Sequence, residues 1–203
     1  MSGRLKPKEL FSVVSNCREG VSKGPVCTKR IVLKSMGYFE RAIQGDASYA
    51  PVYAGLANSY LLSAGWLLMR PAEAYPKAMT AALHALELNE NLAEAHTTLA
   101  EAEHEYEWKW ADAEREFRRA IELDPNSAIA HKSYAEFLMH GGRSAEVISE
   151  MERARDPLSL IVNTFVGFVY HNARQHNGRL KSMKRCYSSI LSSHRHIISW
   201  AGR

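Results

Sequence analysis

The chain has 203 residues, of which 46% are hydrophobic and 24% charged, and its formal net charge is +4. These fractions are typical of a folded globular chain and exclude a wholly disordered, collagen-like or disulfide-stapled protein. The nearly apolar runs 60–69 and 160–170 are shorter than the ~20 residues that a membrane-spanning helix needs. The N-terminus also lacks the pattern of a secretory signal. We therefore expect a cytoplasmic protein that does not enter a membrane.

The charge is distributed unevenly along the chain. Residues 1–34 carry eight lysines and arginines against two glutamates, and residues 35–156 carry eleven basic against twenty acidic residues. Residues 157–203 carry seven basic residues and no acidic one. The chain is therefore an acidic middle between two basic ends, and its overall charge describes neither part.

The first 32 residues show no helical pattern. They contain Gly20, Gly24 and Pro25 and lack an apolar residue at every third or fourth position. We therefore predict a basic N-terminal extension over residues 1–32 and a first legible helix over residues 35–44.

A recurring pattern then runs through the middle of the chain. Four segments share it: APVYAGLANSY from Ala50, AEAHTTLAEAE from Ala93, AIAHKSYAEFL from Ala128 and LIVNTFVGFVY from Leu160. Each has a large or polar residue, an apolar residue three positions later and a small residue directly after it. These spacings place the shared residues on one face of a helix.

A second pattern alternates with the first and ends in an alanine every time. The four alanines are Ala42, Ala85, Ala120 and Ala154, each three residues after a residue that is apolar in every copy. A small side chain lets two helix axes approach closely, so these alanines predict packing against a neighbouring helix. Asp124-Pro125 and Asp156-Pro157 end one helix and begin the next, since proline does not continue a helix but suits its first turn.

This alternation resembles the tetratricopeptide repeat (TPR), a helix–turn–helix unit of 34 residues with the signature W-x2-L-G-x2-Y followed by A-x3-F-x2-A-x4-P. The resemblance covers about residues 33–174, and residues 93–125 match best. It implies an all-α fold, a right-handed TPR superhelix (an α–α solenoid) of about three full repeats with a partial repeat at each end. The first repeat is longer than the others around residues 65–75, and Glu90 stands where proline is usual.

Residues 50–164 are also similar to one bacterial branch of this family. In that branch the TPR region belongs to multidomain signalling and regulatory proteins and is linked to a winged-helix, cyclase-like or kinase domain. The sequence shows no such effector domain. The resemblance therefore implies a bacterial interaction scaffold without the effector.

The repeat pattern stops again after Arg174, and residues 175–203 form a basic C-terminal tail with no clear pattern. Three explanations stay open for the two ends. They are extensions that bind a polyanion, or polar caps of the solenoid, or segments translated in a shifted reading frame.

Enzyme chemistry needs a constellation of residues that the sequence does not show. It contains no glycine-rich phosphate loop, no GxSxG and no HExxH. His96 and His104 lie eight residues apart, ~12 Å along a helix, which is too far to share one metal ion. We therefore predict no catalytic residue, no metal ligand and no cofactor. His96 and His131 occupy equivalent repeat positions, and we expect both to pack between helices.

The expected binding surface is the groove along the inner face of the superhelix, which suits an extended peptide or a partner helix. Glu101, Glu105 and Glu136 supply three carboxylates to this groove and favour a basic partner. The alternative is that the predicted groove residues only form the solvated faces of their helices. The predicted groove residues are Asn58, Leu62, Thr97, Glu101, His104, Glu105, Lys132, Glu136 and Met139.

The groove residues do not match the TPR subclass that grips a C-terminal carboxylate with lysine and asparagine. Asn58 is present, but Ala54 and Thr97 stand where that clamp has lysine, and only Lys132 is basic.

Outside the groove, we expect the apolar loop residues 66–69 to fold back over its end. Trp108 and Trp110 are expected to close a helix pair as core residues.

Two other kinds of partner follow from the sequence. The second candidate function is nucleic-acid binding through the basic ends, which the acidic middle disfavours. The apolar ends of an incomplete array also favour self-association. The basic residues of the tail that carry the nucleic-acid alternative are Arg179, Lys181, Lys184, Arg185 and Arg195.

Overall fold

The structure is a computed structural model and describes residues 25–154. These residues form seven α-helices joined by short turns, with no strand among them. The helices are α1 (Pro25–Gly45), α2 (Ala50–Gly65), α3 (Pro71–Leu88), α4 (Ala93–Ala102), α5 (Trp110–Leu123), α6 (Ala128–His140) and α7 (Ser144–Arg153). A π-helical segment, Glu103–Glu107, continues α4.

Consecutive helices pack against each other in hairpins. Repeat 1 is α2 with α3, repeat 2 is α4 with α5, and repeat 3 is α6 with α7, while α1 is the second helix of a partial repeat. This confirms the predicted all-α solenoid with three complete helix pairs. The partial repeat predicted after Asp156 and the C-terminal tail lie outside the described residues.

Helix α1 begins at Pro25 and not near residue 33, so the predicted boundary cuts through a helix. Val32, Met36 and Phe39 are buried on one side of it, at spacings of one helical turn. Proline suits the first turn of a helix because its missing N–H has no partner there in any case.

Alanine forms the contact surface between the helices. Ala85, Ala120 and Ala154, predicted from their spacing, are completely buried. Ala57 and Ala82 lie with Leu99 in one cluster, which joins α2, α3 and α4. Such small side chains leave room for the backbones to approach, and this confirms the predicted positions of these three alanines, whereas the fourth, Ala42, is only half-buried.

The first helices of consecutive repeats also lie side by side. Helix α2 contacts α4, and α4 contacts α6, whereas the second helices of the described repeats make no comparable contact with each other. A solenoid curves toward the row that packs more closely, so the first helices line its inner face.

Repeats 2 and 3 each contain the same polar bridge. His131 Nδ1 lies 2.6 Å from Glu150 Oε2, and its Nε2 lies 2.9 Å from the carbonyl oxygen of Pro125. His96 makes the same two contacts with Glu116 Oε2, at 2.6 Å, and with the carbonyl oxygen of Glu90, at 2.9 Å. Both nitrogens of each ring therefore lie within hydrogen-bonding distance of an oxygen atom. Each bridge ties a first helix to its second helix and to the preceding turn.

Glycine is required at position 55, where α1 crosses α2. A Cβ added to Gly55 would lie 2.4 Å and 2.6 Å from ring atoms of Phe39. We expect Gly55→Ala to lower the free energy of unfolding by about 1–3 kcal/mol, since the buried ring has to move. Urea unfolding followed by circular dichroism measures this change.

The matched control for this prediction lies in the same helix. A Cβ at Gly65 would meet no atom within 4 Å, so Gly65→Ala should leave stability unchanged or raise it, as alanine is the better helix former. Equal effects of the two substitutions would contradict the close contact between Phe39 and Gly55.

Candidate functional site

The inner face carries the residues predicted for the groove, but not all of them are accessible. Glu105 is exposed, whereas Thr97 and His104 are buried and present little surface. The Thr97 hydroxyl donates a hydrogen bond to the carbonyl oxygen of Ala93 in its own helix, at 2.9 Å. The half-buried members are Asn58, Leu62, Glu101, Lys132, Glu136 and Met139.

Four of these residues come together where α4 and α6 lie side by side. Lys132 Nζ donates to Glu136 Oε2 at 2.6 Å, one turn further along α6. The positive charge of Lys132 also acts on Glu101 and Glu105 of repeat 2. We call Glu101, Glu105 and Glu136 the inner carboxylate cluster, and it places three carboxylates around one ammonium group.

The electrostatics of this cluster are those of a crowded, partly desolvated site. Burial raises the pKa of Glu101, and the positive charge of Lys132 opposes that shift, while Glu105 and Glu136 add to it. Burial lowers the pKa of Lys132, but the surrounding carboxylates outweigh it and raise the pKa overall. The cluster therefore sets three carboxyl groups against one ammonium group, and the raised pKa of Glu101 makes this member the one that gives up its proton least readily.

Tyr75 connects the cluster to repeat 1. Its hydroxyl donates to Glu105 Oε2 at 2.6 Å, and its ring stacks on Tyr106 at 5.2 Å between centroids. Burial and the bond to Glu105 raise the pKa of Tyr75, so it acts as a donor at neutral pH. Sequence patterns do not place Tyr75 here, because α3 and the end of α4 meet only in the folded chain.

The other predicted groove residues have structural contacts. Leu62 packs against the cluster formed with α1, and Met139 packs against the core of repeat 3. His104 is a core residue that joins repeats 2 and 3. Its ring lies edge-on to Trp110 at 4.7 Å and stacks on His140 at 5.0 Å. Burial lowers the pKa of His104, and the neighbouring His140 lowers it further.

The expected roles of the turn residues need two corrections. Trp110 does pack against the core of repeat 3, but Trp108 is exposed and is not a core residue. Its φ of 58° lies in the left-handed region. Leu68 and Met69 fold back as expected, whereas Trp66 and Leu67 stay exposed.

Glu103 is a half-buried titratable residue that sequence reasoning missed. Its Oε2 atom is buried and has no hydrogen-bond partner among the described residues. Burial raises the pKa of Glu103 to about 7, and the nearby carboxylates of Glu116 and Asp112 add to the shift. It stands where the TPR signature has tyrosine, which is the signal that could have identified it.

Residues 25–154 offer no site for a metal ion and no membrane-crossing helix. No three histidine, cysteine, aspartate or glutamate side chains converge there in a way that could hold a metal ion. Within this same part of the chain, every helix is too short or too polar to cross a membrane.

Comparison with known proteins identifies the fold. No family model matches the chain, and no curated protein matches it. TTC0263, a thermophilic TPR protein in Thermus thermophilus, superposes with a TM-score of 0.58 at 14% identity, over 80% of this chain and 91% of its own. MamA superposes with a TM-score of 0.57 at 15% identity, over 83% of this chain and 94% of its own. The chain has the TPR fold.

A third solved structure agrees with this assignment. It is that of pilF from Pseudomonas aeruginosa, with a TM-score of 0.51 at 21% identity, over 76% of this chain and 72% of its own. Identities this low show the TPR fold and leave the binding partner open. The link to multidomain signalling proteins stays a prediction.

The raised pKa of Glu103 predicts how the stability of the fold changes with pH. A carboxyl group whose pKa is higher in the folded chain stabilises the fold at low pH, and this contribution is lost as the pH rises through about 7. Glu103→Gln should therefore be more stable than the natural chain at pH 8, by about 1 kcal/mol after allowing for solvent screening. The difference should be smaller at pH 5 and should vanish below about pH 4, where the unfolded chain is protonated as well.

Urea unfolding of both proteins at the two pH values measures this difference. Glu122→Gln, an exposed change on the neighbouring helix α5, is the control and should shift stability equally at both. A Glu103→Gln effect that is the same at pH 5 and pH 8 would show that this carboxyl group is not protonated in the folded chain.

Proposed function

We propose that this chain is a non-enzymatic scaffold that binds a basic peptide or partner helix along the inner face of its solenoid. The TPR fold supports a role in protein interactions, since stacked repeats present a continuous concave surface. The observation that carries the finer proposal is the inner carboxylate cluster around Lys132.

The cluster favours a cationic ligand for an electrostatic reason. Three carboxylates share one lysine, so the site keeps an excess of negative charge in a partly desolvated surface. Charges interact more strongly there than in bulk water. A lysine or arginine of a partner would offset this excess and reach Glu105, which is the exposed member.

The apolar residues nearby favour a partner that is not purely ionic. Leu62 and Met139 are half-buried, on the first helices of repeats 1 and 3. A segment that alternates basic and apolar side chains matches this arrangement. Asn58 adds an amide that is able to bond the backbone of an extended peptide.

The nucleic-acid alternative depends on the basic ends. Arg179, Lys181, Lys184, Arg185 and Arg195 all lie outside the described residues. Residues 25–154 carry 19 acidic against 13 basic residues, a balance that repels a polyanion. We therefore do not propose it.

Fluorescence anisotropy with a labelled peptide of alternating lysine and leucine tests the proposal on the full chain. We expect Glu105→Gln and Glu136→Gln each to weaken binding about fivefold, the effect of ~1 kcal/mol per charge pair. Glu122→Gln on the outer helix α5 is the matched control and should bind as the natural chain does.

Two outcomes would contradict the proposal. One is equal binding of the corresponding glutamate–leucine peptide, which would show that charge does not select the ligand. The other is lysine–leucine binding that none of the inner-face substitutions changes, which would place the interaction elsewhere on the chain.

A further inference from the structure

Two histidines meet between repeats 2 and 3, and the proposed function does not use them. His104 belongs to the π-helical segment and is 7% exposed, whereas His140 is the last residue of α6 and is exposed. His140 Nδ1 lies 3.3 Å from His104 Nε2, and the two rings stack at 5.0 Å between centroids. We call these two residues the histidine pair.

Aromatic rings surround the buried member of the pair. Trp110 of α5 lies edge-on to His104 at 4.7 Å between centroids, and Phe137 of α6 lies edge-on to it at 5.2 Å. Within the described part of the chain, the ring of His104 has one hydrogen-bond partner, which is His140. The number of protons on the pair therefore decides whether the buried ring keeps its partner.

The contact between the two rings limits how many protons the pair can carry. A hydrogen bond between two imidazole nitrogens needs one nitrogen with a proton and one with a free lone pair. This condition is met when both rings are neutral and also when only one ring is charged. When both rings are charged, every ring nitrogen carries a proton, and two N–H groups face each other across 3.3 Å. The contact is therefore attractive with at most one positive charge and repulsive with two.

The charged groups near His104 do not offset a second positive charge. His140 and Glu136, both on α6, are the titratable groups of the described chain that act on His104, and α5 presents the uncharged ring of Trp110. The carboxylate of Glu136 favours a charged ring, but it already accepts a hydrogen bond from Lys132 at 2.6 Å. Burial lowers the pKa of His104, and His140 lowers it further against the effect of Glu136. The fold therefore favours the neutral ring of His104.

The histidine pair borders the inner carboxylate cluster on both of the helices that carry it. Glu136 precedes His140 by one turn of α6, and Glu101 precedes His104 by three residues. Helices α4 and α6 contact each other side by side along this part of the solenoid. A change in their separation at the histidine pair therefore changes the distance between the carboxylates of repeats 2 and 3.

We propose that the histidine pair is a pH-sensitive joint between repeats 2 and 3. It holds the end of α4 against α6 while at most one ring is charged, and it opens when both rings are charged. The joint sets the geometry of the inner face whatever that face binds, so the proposal does not rest on the proposed function.

The pH range of the joint follows from the preference for a neutral ring. Histidine in an unfolded chain has a pKa of about 6.5, and the pKa of His104 is lower in the folded chain. The unfolded chain therefore binds the proton more readily once the pH falls below that value. The stabilisation by the joint is complete above about pH 6.5 and is lost as the pH falls further.

Hydrogen exchange of the full chain tests the joint. Exchange is followed by mass spectrometry at pH 7.5 and pH 5 and corrected for the intrinsic rate at each pH. We expect residues 103–110 and 133–143 to exchange at least about tenfold faster at pH 5, because two like charges in contact at a partly buried site repel each other strongly. Helix α2, which lies away from the pair, should exchange at the same corrected rate at both pH values.

Two substitutions remove the second charge in different ways. His104→Phe keeps an aromatic ring against Trp110 and Phe137 but takes up no proton, and His140→Gln leaves His104 beside a neutral partner. Each should abolish the local increase in exchange at pH 5. The matched control is His84→Gln, which changes a histidine of α3 whose side chain is 43% exposed, and it should leave the increase as it is.

A further control separates the joint from the neighbouring carboxyl group. Glu103 precedes His104 and also takes up a proton between the two pH values, since its pKa is about 7, but with the opposite effect on stability. Glu103→Gln should therefore retain the local increase in exchange at pH 5.

Three results would overturn the proposal. They are exchange of residues 103–110 and 133–143 that does not change with pH, an increase that is equally large in α2, and a local increase that persists in both His104→Phe and His140→Gln. The second result would mean that acid loosens the whole solenoid. The third would mean that another titratable group opens the junction.

Discussion

The structure depends on how closely the helix axes approach each other. Ala57, Ala82 and Ala100 are completely buried between helices, and so are Ala113 and Ala120 in repeat 2. A larger side chain at these positions would have to push the backbones apart, because a protein interior has no spare volume. The same close approach places Phe39 on Gly55 and brings α4 beside α6. The inner carboxylate cluster therefore exists only because the alanines set this spacing.

Repeat 1 differs from repeats 2 and 3 in the side chain that joins its two helices. In repeats 2 and 3, His96 and His131 each pair with a glutamate of the second helix. In repeat 1, Tyr53 stands at the histidine position and meets His84 edge-on, at 4.5 Å between ring centroids. A buried polar pair requires a particular distance and orientation between its two groups, because a buried polar group without a hydrogen-bond partner destabilises the fold. Apolar packing has no such requirement. Repeats 2 and 3 are accordingly the more strictly specified part of the solenoid.

Sequence periodicity predicts the helix contacts that recur in every repeat. It misses the positions of side chains that depend on contacts found in one repeat only. Spacing alone is enough to assign Ala85, Ala120 and Ala154 to the helix contacts, because the period of an α-helix is fixed. The same counting places His104 in the groove, but rings from α5 and α6 surround it in the fold. An aromatic residue such as Trp108 is expected in the core, yet it is exposed at a turn where its backbone is left-handed. Such outcomes depend on distant residues and on turn conformation, which periodicity does not record.

Tyr75 joins repeat 1 to the inner face of repeat 2. Its hydroxyl donates a hydrogen bond to Glu105 in the inner carboxylate cluster, and its ring stacks on Tyr106 in the π-helical segment. A cation bound at Glu105 would compete with that hydroxyl for the same carboxylate. Because Tyr75 belongs to repeat 1 and Glu105 to repeat 2, a ligand at this carboxylate would compete with a contact that joins the two repeats.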